Sequence, residues 1–277
     1  MRPISAVTLS CLLALTSIAF AKTPPTELAP PDSSAAAPPF SYPESAENGW
    51  PKSCESDPAA TDPSNPPPDG PQQSPIDFTR LTPVPATIPL GVLVKGTYNE
   101  GENNVVFPMP TIAVDFMNEK LTYSPVSFHF HFPNEHVVKA NTAMLELHIK
   151  AKDQNQHYGV FAVLFEPGLR HNMPRNPLLN QVIANLMAPG TMSGQVDLVP
   201  ALNKFMTSHF YAYVGSLTTP QCNTGINWYV LQTPELAPAS QISAVVKALQ
   251  GANMPRSNNR TPRQLTTPLP TVYLSNQ

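Results

Sequence analysis

The six residues Ser127-Phe128-His129-Phe130-His131-Phe132 constrain this chain more than any other stretch. Their alternation has the period of a β-strand, in which residues two apart share a face, and not that of a helix. The three phenylalanines then pack on one side of a sheet while His129 and His131 stand together on the other. Two imidazoles one strand repeat apart can reach a common metal ion. A third ligand must come from a neighbouring strand. Leu145-Glu146-Leu147-His148-Ile149 alternates in the same way, after a connection long enough for an antiparallel return. Glu146 shares the face of His148, where its carboxylate can hold a ring N–H and fix a tautomer. A lone histidine on an apolar face is more often a core residue; two in alternation, with a third beside its own carboxylate, point to metal. Three neutral nitrogen ligands leave a tetrahedral zinc one open position, the catalytic arrangement rather than the closed structural one.

The surrounding chain reads as mainly β. Short apolar and β-branched runs at 111–116, 126–132, 143–150 and 159–165 are separated by Pro, Gly and Asn and predict strands. Apolar residues at helical spacing predict one helix over 176–187, with Pro177 in its first turn, and a second over 242–250. No internal repeat is visible. The expected architecture is a single domain over 40–277, with a few helices on a β framework.

Proline shapes the remainder. Many of the 35 prolines fall between Lys22 and Pro71, a composition that buries too little apolar surface to offset its ordering entropy. Residues 22–39 are expected to be a linker and 55–71 a flexible Pro-rich insertion. Ahead of them, Arg2, the apolar run Ile4 to Phe20 and the small residues of Ala19-Phe20-Ala21 read as a secretory signal over 1–21. Lipidation at Cys11 is the weaker alternative, because Thr8-Leu9-Ser10 makes a poor lipobox. Cleavage would remove Cys11 and leave Cys54 and Cys222 as an even pair in an oxidising compartment, either a disulfide or two unrelated thiols. Periplasmic or secreted export is therefore expected. A net charge of −3 with no basic run argues against nucleic-acid partners, and the N-terminal apolar run is too short for an integral membrane protein. A homodimer is compatible with the sequence.

The order of the motifs resembles the α-class carbonic anhydrases of the exported, bacterial type. Gln73-Ser74-Pro75-Ile76-Asp77, the FHFH at 128–131, Glu135-His136, the LELH at 145–148 and Gly215-Ser216-Leu217-Thr218-Thr219-Pro220 followed by Asn227-Trp228 carry the resemblance, from about Tyr42 to near Val272. It implies a twisted, mostly antiparallel central sheet of about ten strands. It implies one Zn2+ on His129, His131 and His148, with Glu146 behind the ligands. The implied reaction is reversible hydration of carbon dioxide to bicarbonate, with zinc lowering the pKa of its water to about 7. Thr218 would be the gatekeeper, donating to Glu135 and accepting from the nucleophile. Val160, Leu217, Thr219 and Trp228 would line the substrate pocket, Tyr42 would join the water network, and Cys54 and Cys222 sit where exported members form their disulfide.

Three positions depart from the family pattern. No histidine precedes His129, so the family's histidine proton shuttle is missing, and Glu102 is the nearest titratable substitute. Ser127 stands where a glutamine commonly supports the first ligand. Lys150 occupies a position usually held by valine in the pocket, unless a one-residue bulge turns it to solvent. The rival expectation is a carbonic anhydrase-like binding protein with little turnover. Read without the family, Glu135-His136 is a surface pair and Asn259-Arg260-Thr261 a glycosylation sequon; His157, His171 and His209 lack partners at ligand spacing.

Overall fold

The computed structural model describes residues 41–54 (without 43), 73–100, 105–139, 143–170, 172–185, 196–251, 257–263 and 269–276. The predicted signal and linker, the Pro-rich insertion, Glu102 and His171 lie outside the described residues.

Ten strands run in chain order: β1 (Val84–Ala86), β2 (Leu90–Glu100), β3 (Val105–Phe116), β4 (Glu119–His131), β5 (Leu145–Lys152), β6 (Tyr158–Pro167), β7 (Phe210–Ser216), β8 (Thr224–Leu231), β9 (Glu235–Ala237) and β10 (Tyr273–Ser275). They form one sheet in the order β1-β10-β7-β8-β6-β5-β4-β3-β2, with β9 alongside β6. The expected mainly β, mostly antiparallel fold is observed. The parallel pairings are β1 with β10 and β6 with β8 and β9. Parallel neighbours need a long crossover, and the segment from β6 to β8 supplies it through α1 (Pro177–Asn185), α2 (Val199–Asn203) and β7. The remaining helix, α3, spans Ala239–Gly251. It begins three residues before the periodic apolar run, because Gln241 and Ile242 donate to the Pro238 carbonyl.

The central strands are buried on both faces, and alternation sorts their side chains. Leu147, Ile149, Phe161, Val163, Phe165, Tyr229 and Leu231 enter the large core that takes in α1, α2 and α3. Their even-numbered neighbours Val160, Ala162, Leu164, Trp228 and Val230 enter a second core with Ile76, Phe78, Tyr211 and Tyr213. The face that carries the second core also carries Glu146, His148 and Lys150. Each core residue removed from water contributes about 1.5–3 kcal/mol, so a one-residue slip would exchange both faces at once.

Candidate metal centre

Register builds the site in rows across β4, β5 and β6. His131 faces Glu146, His129 faces His148, and Ser127 faces Lys150. On the other side of β5, His148 faces Ala162 and Lys150 faces Val160, and Val160 in turn pairs with Trp228. The irregularity on β4 falls between Pro125 and Ser127, just beyond these rows, so Lys150 stays on the histidine face.

The three ring centroids lie 4.9, 5.3 and 4.6 Å apart for 129–131, 129–148 and 131–148. One nitrogen from each ring falls within 4.8 Å of the others, a spacing that can hold an ion. Hydrogen bonding fixes which nitrogen. His131 Nδ1 contacts the Asn258 carbonyl at 2.6 Å; a carbonyl only accepts, so the proton sits on Nδ1 and Nε2 keeps a free lone pair. That Nε2 is buried with no partner, as a metal ligand awaiting its ion should be. His148 Nε2 contacts Glu146 at 2.8 Å, which leaves His148 Nδ1 free. Burial and the other imidazoles hold His131 well below the ordinary histidine pKa, and burial lowers His148. His129 shifts the same way through burial, His148 and Lys150, although it stands at the solvent-exposed side. All three rings are neutral near pH 7, the state that metal ligation requires.

His136, Glu146 and His148 also lie within metal-ligating range, but Glu146 has no lone pair to spare. Its Oε1 accepts from His136 Nδ1 at 2.7 Å and His148 Nε2 at 2.8 Å, and its Oε2 from the Glu135 and His136 amides at 2.7 and 2.8 Å. Burial alone would raise its pKa; His136 and His148 overcome that and hold it well below the carboxylate range. The hydrogen-bonded chain then runs outward. His136 Nε2 contacts the Tyr213 hydroxyl at 2.7 Å, and Tyr213 in turn contacts the Ser74 hydroxyl at 2.8 Å. Gly215 permits this arrangement, since an added Cβ would collide with the Ser74 hydroxyl.

Glu135 and His136 are both fully buried, which corrects their reading as a surface pair. The Arg260 amide donates to Glu135 Oε1 at 2.8 Å. The Thr218 hydroxyl lies near enough to act on the same carboxylate without forming a well-aligned bond to Oε2. Burial and then Glu146 push Glu135 well above its ordinary pKa, with the Arg260 amide and Thr218 pulling back. The loop carrying Thr218 is pinned by the Cys222 amide donating to the Thr219 carbonyl at 2.8 Å and by a Cys54–Cys222 disulfide, Cα–Cα 5.1 Å, bridging 168 residues. Tyr42 packs edge-on to Trp50 beside that disulfide.

Apolar side chains wall the centre. Val160 and Trp228 are buried, with Leu217 packed against them and Thr219 half-buried; the Trp228 ring sits 4.9 Å from His148. Ser127 is exposed, and among the described residues His129 makes no hydrogen bond. Lys150 is half-buried with its ammonium 4.9 Å from the Tyr158 ring centroid.

Sequence reasoning missed Asn258 and Arg260. Asn258 takes the His131 proton on its carbonyl, donates to Phe130 O at 2.8 Å and accepts from the Phe132 amide at 2.8 Å. Arg260 is fully buried, its guanidinium shared among Glu44, Gln73, Ser74 and Cys54. The sequon reading drew attention to the Asn259 side chain, when the work is done by its neighbours. His157 is a mostly exposed ring 3.6 Å from Asp153, and His209 contacts the Ser275 carbonyl.

Comparison with known proteins gives one consistent result. A family model described as eukaryotic-type carbonic anhydrase matches residues 60–268. A carbonic anhydrase of Neisseria gonorrhoeae is 31% identical over 132 residues, 48% of this chain and 51% of that protein, so the chain spans about half the length of such relatives. The α-carbonic anhydrase of Thermovibrio ammonificans, solved with the inhibitor sulfanilamide, superposes with a TM-score of 0.51 at 25% identity, covering 74% of this chain and 87% of that one. Dioscorin, solved with ascorbate, shares the fold at 22% identity, with a TM-score of 0.56 over 86% of this chain and 98% of that one. The chain belongs to the eukaryotic-type, or α, carbonic anhydrase family.

Proposed function

We propose that the chain is a zinc-dependent carbonic anhydrase acting outside the cytoplasm, interconverting carbon dioxide and bicarbonate. The observation that carries this reading is the pair of lone pairs on His131 Nε2 and His148 Nδ1, each freed by a fixed acceptor on the opposite side of its ring. With the exposed His129 they make a three-nitrogen set reachable from solvent, which suits zinc and leaves a position for a reactant. When bound, zinc supplies the Lewis acidity that lets water act as a nucleophile near neutral pH.

The chain's own residues do the rest. A Thr218 hydroxyl that donates to Glu135 can accept a hydrogen bond only from the reactant side, so it would select one orientation of the attacking oxygen. Glu135 must be a carboxylate for this, and a cation at the histidines would favour its ionised form despite burial. Val160, Leu217 and Trp228 offer carbon dioxide an apolar surface, with Thr219 at its edge. Tyr42 borders the site from the Glu135 side, where Glu135 contributes to raising its pKa, after burial. Glu146 holds the His148 tautomer. No histidine precedes His129 in the sequence, so the released proton leaves through buffer or through Glu102, and turnover should rise with imidazole concentration. The disulfide supports the extracytoplasmic placement, since such bonds persist in oxidising compartments.

Zinc content and stopped-flow carbon dioxide hydration on the same sample test the reading. About one zinc per chain with hydration well above buffer is expected, with inhibition by sulfanilamide. Zinc retained in full after His129, His131 and His148 are all replaced would refute the site. A second reading, a carbonic anhydrase-like binding protein, draws on Lys150 in the expected pocket and on the likeness to dioscorin. It requires zinc-loaded protein with background hydration.

A further inference from the structure

The histidine face of β5 continues past the metal centre. His148, Lys150 and Lys152 follow one another at successive strand repeats, about 6.8 Å each. Across β4, Ser127 stands opposite Lys150 and Ser124 opposite Lys152. Across β6, Val160 and Tyr158 do the same. Both ammonium groups come to the same ring, Lys150 Nζ at 4.9 Å and Lys152 Nζ at 5.0 Å from the Tyr158 centroid. Tyr158 itself packs against the apolar cluster containing Val160 and Trp228.

Two like charges on one ring repel each other. Among the described residues neither lysine has an ion pair or hydrogen bond with any side chain. The nearest acid in sequence, Asp153, is buried and turned to its own loop, where Oδ1 accepts from the Asn155 and His157 amides at 2.8 Å each. The exposed hydroxyls of Ser124 and Ser127 flank the pair. The result is a cationic step with hydroxyl donors, beside the histidine row and next to the apolar Val160.

We propose that Lys150 and Lys152 form an oxyanion subsite, one strand repeat out from the histidine row, that takes a carboxylate or a carbon oxyanion of bicarbonate size. Neighbouring cations without an ion pair among the described residues raise the local concentration of small anions, and a carboxylate beside both relieves their mutual repulsion. This rests on the metal centre being the reaction site: of the two forms interconverted there, bicarbonate is the charged one, and it is the form the lysines would hold beside the centre.

The test uses the zinc-loaded protein and two ligands of one shape, 4-carboxybenzenesulfonamide and its uncharged carboxamide, titrated calorimetrically. Wild type is expected to prefer the carboxylate, and a Lys150→Gln/Lys152→Gln double variant to lose about three- to fivefold of that affinity, the size of a partly exposed charge pair. The carboxamide should change by less than about twofold, and added salt should erase the preference. A preference that survives in the double variant overturns the subsite, and so does an equal loss for both ligands. Failure of both ligands to bind wild type would count against the metal centre alone. The subsite is then decided on metal-free protein carrying 13C-labelled lysine: bicarbonate should shift the Lys150 and Lys152 side-chain resonances, and unmoved resonances overturn it.

Discussion

The inner and outer ends of the histidine face are built on the same three strands and held in opposite ways. At the inner end, His131, Glu135, His136, Glu146 and His148 are buried, and fixed partners determine which ring nitrogens carry protons. At the outer end, Ser127 and His129 are exposed, His129 has no hydrogen-bond partner among the described residues, and two lysines share one tyrosine ring. A buried polar group without a partner is destabilising by several kcal/mol at most and about 1–3 kcal/mol in ordinary cases, so the inner end tolerates little variation. Water can replace any partner at the outer end. The two positions that the resemblance marks as departures, Ser127 and Lys150, both lie there.

The sharpest test of this contrast compares His131→Ala with His129→Ala. Both should lose zinc and bring hydration near background. Only His131→Ala should also destabilise the metal-free protein, by about 1–3 kcal/mol, because it strands the buried Asn258 carbonyl. Denaturant melts of the metal-free variants decide; equal stabilities would erase the distinction between the two ends.

Next in size is the Thr218 loop. Thr218→Ala should keep zinc and lose about 10²–10³ in turnover, the usual effect of removing one transition-state donor or acceptor. Metal analysis alongside hydration kinetics reads both quantities, and wild-type turnover would place Thr218 outside the reaction.

The pH dependence of stability tests whether the imidazoles are neutral. His129, His131 and His148 have folded pKa values below the unfolded one, so their contribution is present above about pH 6.5 and is lost as pH falls below it. Glu135 is raised and acts in the opposite sense, holding one more proton when folded. Between about pH 4.5 and 6.5 the three histidines outweigh the single carboxyl. Solvent screens the exposed His129, so the metal-free protein should lose about 1–2 kcal/mol per pH unit on acidification through that window. Urea melts at several pH values measure it, and a flat profile would mean that the rings are protonated in the folded state.

The smallest expected effect is at the outer end. Ser127→Gln would place a longer side chain beside His129 and give that ring a partner, raising zinc affinity by no more than about tenfold. A fall in affinity would show that the exposed ring is already well oriented.

How much of this could be read from the chain depended on distance along it. The strand period of 127–132 and 145–149 identified the three imidazoles and Glu146, because alternation is a local property and both strands kept their register. The bulge that threatened Lys150 lies on β4 near Val126 instead. Contacts between distant segments were not legible. Glu135-His136 reads as a polar surface pair until Glu146, on another strand, is known to accept from both amides. Arg260 looked like the middle of a sequon and Asn258 carried no signal, because their partners stand far upstream. The start of α3 was missed for a simpler reason: Ala239-Ser240-Gln241 carries no apolar period, and the Pro238 carbonyl begins the helix.

The Asn258 contact with His131 joins residues 127 positions apart, and this sets an order of events in time. A chain made from its N-terminus presents all three imidazoles long before the segment that selects the His131 tautomer exists. Until that segment arrives, either nitrogen of His131 can meet an ion, so an early captured metal can sit in the wrong geometry. A segment made after all three ligands therefore fixes the tautomer of one of them.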